Sequence, residues 1–167
     1  MSKNPSARTR SYKTGENIIG AISAGAFFIL IGTIYVTTLP TSLWDNIVSF
    51  FKSFETVQLS EHLSLPAPVT PGAHAVVYNA AFQFCISIAV LQIIVLALRL
   101  MIHSPISKTA ETAGSLVYWF GATYLVPTFL NSDTDVPTWF AFWAAIIMVL
   151  GISLIARAIV LFAKKRV

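Results

Sequence analysis

The side chains best suited to chemistry lie outside the longest apolar runs. Glu61, His62 and His74 fall in or beside one polar stretch, and Asp133 and Asp135 fall in another. Imidazole nitrogens with carboxylate oxygens form a donor set for zinc or copper, and two stretches that meet in space could assemble one. The spacing argues against it, because no pair has the His-x-x-x-His step that puts two ligands on one helix face. Solvated loop residues are the plainer reading, and no metal or other cofactor is expected. A membrane enzyme built on His62, His74, Asp133 and Asp135 is the last of three functional readings.

A second set is polar without being ionisable. Asn79, Gln83, Ser87 and Gln92 interrupt an otherwise apolar run. In hydrocarbon such side chains are costly without partners, so each is a packing or functional residue. At about 100° per residue, Asn79, Gln83 and Ser87 share a face roughly 80° wide, while Tyr78, Cys85 and Gln92 cluster on another. A helix with two partly polar faces is expected to lie buried between neighbours. Its polar groups then either tie helices together or line a path for water, an ion or a small solute, narrowed at Gln92.

Several chemistries find no residues to carry them. Glu16 and Glu111 fall at the ends of apolar runs and no acid lies in mid-run, which disfavours proton-coupled export through a buried carboxylate. His62, His74 and His103 are likewise outside mid-run, where a membrane haem would need axial ligands. The single cysteine, Cys85, cannot form an intramolecular disulfide and lies among apolar residues, where a thiol behaves as a small hydrophobe. The net charge of +4 arises at the edges of apolar runs, not on a basic face interleaved with aromatics, so nucleic acid is not an expected partner. No Walker loop, zinc-protease helix, nucleophile elbow or dinucleotide fingerprint is present, and no motif of a known family emerges.

These residues are held by elements of one kind. Of 167 residues 56% are hydrophobic and 11% charged, with a mean hydropathy of +0.73, a membrane-class composition. Apolar spans over about residues 17–39, 75–98, 112–130 and 137–158, the last uncharged as far as Ala156, are each long enough to cross some 30 Å of hydrocarbon as a helix. The expected fold is an all-α integral membrane protein, a single bundle of four transmembrane helices. Lys3, Arg8, Arg10 and Lys13 before the first run also describe a secretory leader. That run exceeds a typical leader core, and Thr37-Thr38-Leu39-Pro40 is a poor cleavage site, so a retained crossing is expected.

Loop charge sets the orientation. With both termini cytoplasmic, only Lys52 of the 11 Lys and Arg residues falls outside. Arg99 and Arg157 then sit near inner helix ends, where they are expected to snorkel to the headgroups as anchors. Tyr35, Trp44, Tyr78, Tyr124, Trp139 and Trp143 fall near the outer boundary, where amphipathic rings prefer to sit.

The connection of about residues 40–72 is the only long one. Ser42-Leu43-Trp44-Asp45 has capping-box logic, and Leu43, Trp44, Ile47, Val48, Phe51 and Phe54 follow at helical spacing. An amphipathic helix over about residues 42–56 is expected to lie in the interface plane. Pro66, Pro68 and Pro71 predict an extended, irregular remainder.

Small residues mark close helix approach: Ala21-x-x-x-Gly25 in the first run, and Gly114 with Gly121 a heptad apart in the third. Pro127 is expected to redirect or kink the outer end of the third run. The leading functional reading is a non-enzymatic structural or accessory subunit, whose partners are the lipid bilayer and itself or other membrane subunits. An oligomeric channel or carrier, with its path along Asn79, Gln83 and Ser87, is the second.

Overall fold

The computed structural model describes residues 5–38, 42–60 and 63–163. It contains helices α1 (Pro5–Thr37), α2 (Leu43–Lys52), α3 (Ala75–Met101), α4 (Ile106–Phe129) and α5 (Val136–Ala163). A two-stranded hairpin, β1 (Phe54–Ser60) with β2 (Leu63–Pro68), and a 3-10 turn (Pro71–His74) stand between α2 and α3. Three stretches, Thr14–Thr37, Pro71–Met101 and Val136–Ala163, are long and apolar enough to cross a membrane. Their surfaces expose Phe28, Ile29, Ile94, Ile147 and Leu154, as befits helices whose solvent is lipid. The chain is a mostly helical, membrane-embedded protein.

α4 is less apolar, because Thr109, Thr112, Ser115, Thr123 and Thr128 dilute its Leu and Val residues. It packs against α3 on one side and α5 on the other, more extensively than any other helix. Its hydroxyls are satisfied one turn back: Thr112 Oγ1 donates to the Lys108 carbonyl at 3.0 Å, Thr123 Oγ1 to Trp119 at 2.8 Å and Thr128 Oγ1 to Tyr124 at 2.7 Å. The two glycines of this helix face α5. A Cβ on Gly121 would stand 2.4 Å from Val149 Cγ1, and one on Gly114 would stand 3.0 Å from the Ser153 carbonyl oxygen. α4 continues through Pro127, which is exposed, to Phe129. The Thr123 carbonyl that loses a donor there is one residue from the Tyr124 carbonyl that gains the Thr128 hydroxyl.

α1 is already helical from residue 5, well before the apolar run, since nothing in the basic stretch breaks a helix. Among the long helices it packs chiefly on α3. At the α3–α4 turn His103 takes a left-handed conformation (φ 53°), with Ser104 N–H donating to the Arg99 carbonyl at 3.0 Å and His103 N–H to Leu100 at 3.2 Å. This is a Schellman stop, and Pro105 directly after it prevents continuation.

The loop after α1 differs from expectation. α2 ends at Lys52, and the proline-rich part is an ordered hairpin whose register pairs Phe54 with Pro68 and Thr56 with Pro66. Val69 N–H donates to the Ser53 carbonyl at 2.9 Å, so hydrogen-bonded pairs fall at Ser53/Val69 and every second pair from there. Pro66 and Pro68 therefore occupy the intervening pairs, where no ladder N–H is needed. The capping box also differs: Ser42 has φ 50° and its hydroxyl bonds the Asp45 carboxylate, with no bond to a backbone N–H of α2.

Candidate functional site

One end of the bundle is closed by a cap of aromatic rings. Trp139, at the start of α5, is buried with ring centroids 5.8 Å from Phe50, 6.0 Å from Phe54, 6.3 Å from Tyr78 and 5.8 Å from Trp143. Tyr78 donates its hydroxyl to the Pro71 carbonyl at 2.8 Å, while Ala67 and Pro68 of β2 are fully buried. α2 meets this cluster with one side only. Leu43 is buried and Phe50 packs inward, joined by Phe54 at the start of β1, whereas Trp44 and Phe51 are exposed and Ile47 lies between. Phe50 lies one heptad beyond Leu43, in phase with Ile47, so helical spacing contained the signal for its inward face. The part played by Ser53, Ala67 and Gly72 carried no such signal.

The loop between α1 and α3 is also tied to the turn between α4 and α5. Gly72 N–H donates to the Thr134 carbonyl at 3.0 Å, and a Cβ on Gly72 would fall 2.3 Å from the Ser132 carbonyl oxygen. Thr134 holds the turn by accepting from Asn131 N–H at 2.7 Å and donating to the Phe129 carbonyl at 2.8 Å.

Two of the four candidate metal ligands, His74 and Asp135, have structural partners. His74 is buried, edge-to-face with Phe50 at 5.2 Å and 2.9 Å from Ser53 Oγ through Nε2. Ser53 Oγ gives its hydrogen to the Phe50 carbonyl at 2.7 Å, which assigns Nε2–H as the donor to Ser53. Asp135 caps α5, accepting Thr138 N–H at 2.9 Å, and its bonds to Thr138 hold its carboxyl below the usual range. Asp133 is exposed in the turn, and His62 and Glu61 lie outside the described residues. Among the described residues no group of three or more His, Cys, Asp or Glu is gathered.

At the opposite end Arg99 is not the expected headgroup anchor. Its guanidinium turns inward to Glu16 of α1 (3.5 Å), the Lys108 carbonyl (2.7 Å) and the Thr112 hydroxyl, linking three helices. The Arg99 and Glu16 side chains are only 15% and 17% exposed, so the packed helix ends exclude most of the water that would otherwise compete for them. Glu16 was legible as an acid at a helix end, but not as the partner of a residue so distant in sequence. Arg157, on α5, remains exposed.

The polar residues of α3 split between faces. Tyr78 and Cys85 turn inward and Gln92 is half-buried. Asn79 is exposed and Gln83 and Ser87 are half-buried, on the side away from the Arg99 contact with α1 and α4. The expected burial of both faces between neighbours holds for Tyr78 and Cys85, while Asn79 is left exposed and Gln83 and Ser87 are only half covered. The side chains of Asn79, Gln83, Ser87 and Gln92 make no hydrogen bond among the described residues. Ala21 and Gly25 are also exposed, with nothing within 4 Å of a Cβ built on Gly25. The small residues of α4 are thus used within the chain, and those of α1 are not.

No family model matches the chain, and neither a curated protein nor a solved structure matches it. The functional reading therefore rests on the geometry alone.

Proposed function

We propose that the chain is a non-enzymatic multi-pass membrane protein of four crossings with both termini cytoplasmic, serving as a structural or accessory subunit of a homo-oligomer or a larger membrane complex. The observation that carries this reading is the surplus of helix-contact surface: Ala21 and Gly25 on α1 and Asn79 on α3 are exposed, and Gln83, half-buried beside Asn79, makes no hydrogen bond among the described residues. Polar amides and small residues favour contact with protein over lipid, so a partner is required where this chain supplies none.

The count of four is supported by the place of α4. A helix packed along two apolar neighbours and joined to both by tight turns traverses the thickness they traverse, and its back-bonded threonines lower the cost of its hydroxyls. The outward Trp44 and Phe51 support an interfacial α2, dipping two aromatic rings into the headgroup region while Phe50 and Phe54 hold the bundle. The excess of Lys and Arg on the Arg99 side of the bundle supports cytoplasmic termini.

Native purification in mild detergent, with mass determination of the intact assembly, tests the reading. The expected result is a stable assembly heavier than one 18.2 kDa chain plus its detergent, whether of copies or with other membrane subunits. A lone chain under conditions that preserve other complexes of the same membrane refutes it.

A further inference from the structure

The outward face of α3 has a repeat that interhelical packing within this chain does not use. Steps of four and three lead from Asn79 through Gln83, Ile86, Val90 and Ile93 to Ala97, the alternation that keeps one face of a helix against a parallel partner. The apolar members are exposed, Ile86 by 43%, Val90 by 51% and Ile93 by 46%. β-branched residues dominate the seam, and two amides without partners begin it. Arg99, the only charged residue of α3, points to the other side, to Glu16 and Thr112, so two copies of this face meet without like-charge repulsion.

We infer that this face is a parallel self-association seam, occupied by α3 of a second copy of the chain. The inference rests on the subunit reading above and names its partner. Copies inserted into one membrane share an orientation, so a two-fold axis along the membrane normal brings each seam residue beside its own equivalent. A carboxamide is both donor and acceptor, and is therefore complementary to itself: Asn79 and Gln83 gain from their counterparts the hydrogen bonds they lack within the chain. The same two amides fix the register, since a shift of one heptad sets Gln83 against Val90 and leaves it unpaired. The β-branched Ile86, Val90 and Ile93 lose little rotamer freedom on packing.

Single-cysteine cross-linking of the full chain in its native membrane tests this. In a Cys85→Ser background, Ile86→Cys and Ile93→Cys probe the seam, Ile147→Cys and Ile155→Cys probe the lipid-facing side of α5, and Gly25→Cys probes α1. Copper-phenanthroline oxidation is expected to give a disulfide-linked dimer from the two seam variants at a yield about tenfold above that of the α5 variants. Equal yields from α3 and α5 overturn the seam. Dimers from Gly25→Cys alone overturn it while leaving self-association, and no dimer at any position together with a co-purifying membrane subunit overturns it while leaving the accessory reading. No dimer and a lone-chain mass overturn both.

Discussion

Replacing Gly72 by alanine adds one methyl group where two connections touch. The new Cβ would lie 2.3 Å from the Ser132 carbonyl oxygen and 3.3 Å from that of Thr134. An ordinary contact requires about 1 Å more at Ser132, and both atoms in conflict belong to backbones, so no rotamer change relieves it. Separating them by that distance stretches the 3.0 Å bond from Gly72 N–H to Thr134 beyond hydrogen-bonding range. Overpacking of this kind costs about 1 to 3 kcal/mol, and a lost bond with its polar groups left shielded costs about 1 to 3 more. The expected loss is therefore about 3 kcal/mol, roughly a hundredfold in the local closing equilibrium. Gly32→Ala is the matched control, because nothing lies within 4 Å of its added Cβ and the helix gains up to about 1 kcal/mol in propensity. Limited proteolysis of the purified protein in detergent, scored at the loop between α1 and α3, should show Gly72→Ala cut far faster than wild type and Gly32→Ala unchanged. Equal protection of both variants refutes the backbone junction between the two connections.

Three further outcomes follow from the same geometry. Arg99→Ala removes the centre of a three-helix knot and leaves Glu16 shielded without its cation; a loss of about 2 to 4 kcal/mol in detergent-titrated unfolding is expected, with a double-mutant cycle against Glu16→Gln giving a coupling well above that of a surface pair. Trp139→Ala empties the middle of the aromatic cap and should cost about 3 to 5 kcal/mol by the same unfolding assay, with blue-shifted tryptophan emission lost. Asp135 has a carboxyl pulled below its ordinary value by Thr138, so its cap is fully present above the unfolded carboxylate value of about 3.9 and is lost as pH falls through the lower folded value; a thermal melt series from pH 6 to pH 2 should show a drop near the acid end that Asp135→Asn lacks.

The parts of this architecture that were legible in the sequence are those set by single-segment physics. Runs without charge located α1, α3 and α5, and two glycines a heptad apart located the close approach of α4 to α5, because in a helix spacing alone decides which residues share a face. What spacing does not contain is which neighbour a face meets. Arg99 at a helix end reads as an anchor until Glu16 and Thr112 are brought beside it, and Asn79 reads as buried although the fold leaves it exposed. The hairpin escaped for a different reason. Three prolines in a short stretch argue for irregular chain, and only a pairing register shows that Pro66 and Pro68 sit where no ladder donor is needed. His74 as a solvated loop residue met the same limit, since it is buried against Ser53, a partner 21 residues away.

The aromatic cap also imposes an order on synthesis. Phe50, Phe54 and the hairpin leave the ribosome long before Trp139, the ring they enclose, which lies about 70 residues after Pro68. At about 5 to 20 residues per second the interval is several seconds, during which this segment has no tryptophan to close on. Until α5 arrives, Phe50 has only Phe54, His74 and Tyr78 against it, and the side that meets Trp139 stays open. A nascent chain stalled before α5 would therefore present a sticky aromatic surface beyond the membrane, a state for insertion chaperones to recognise and one that vanishes once the last helix is in place.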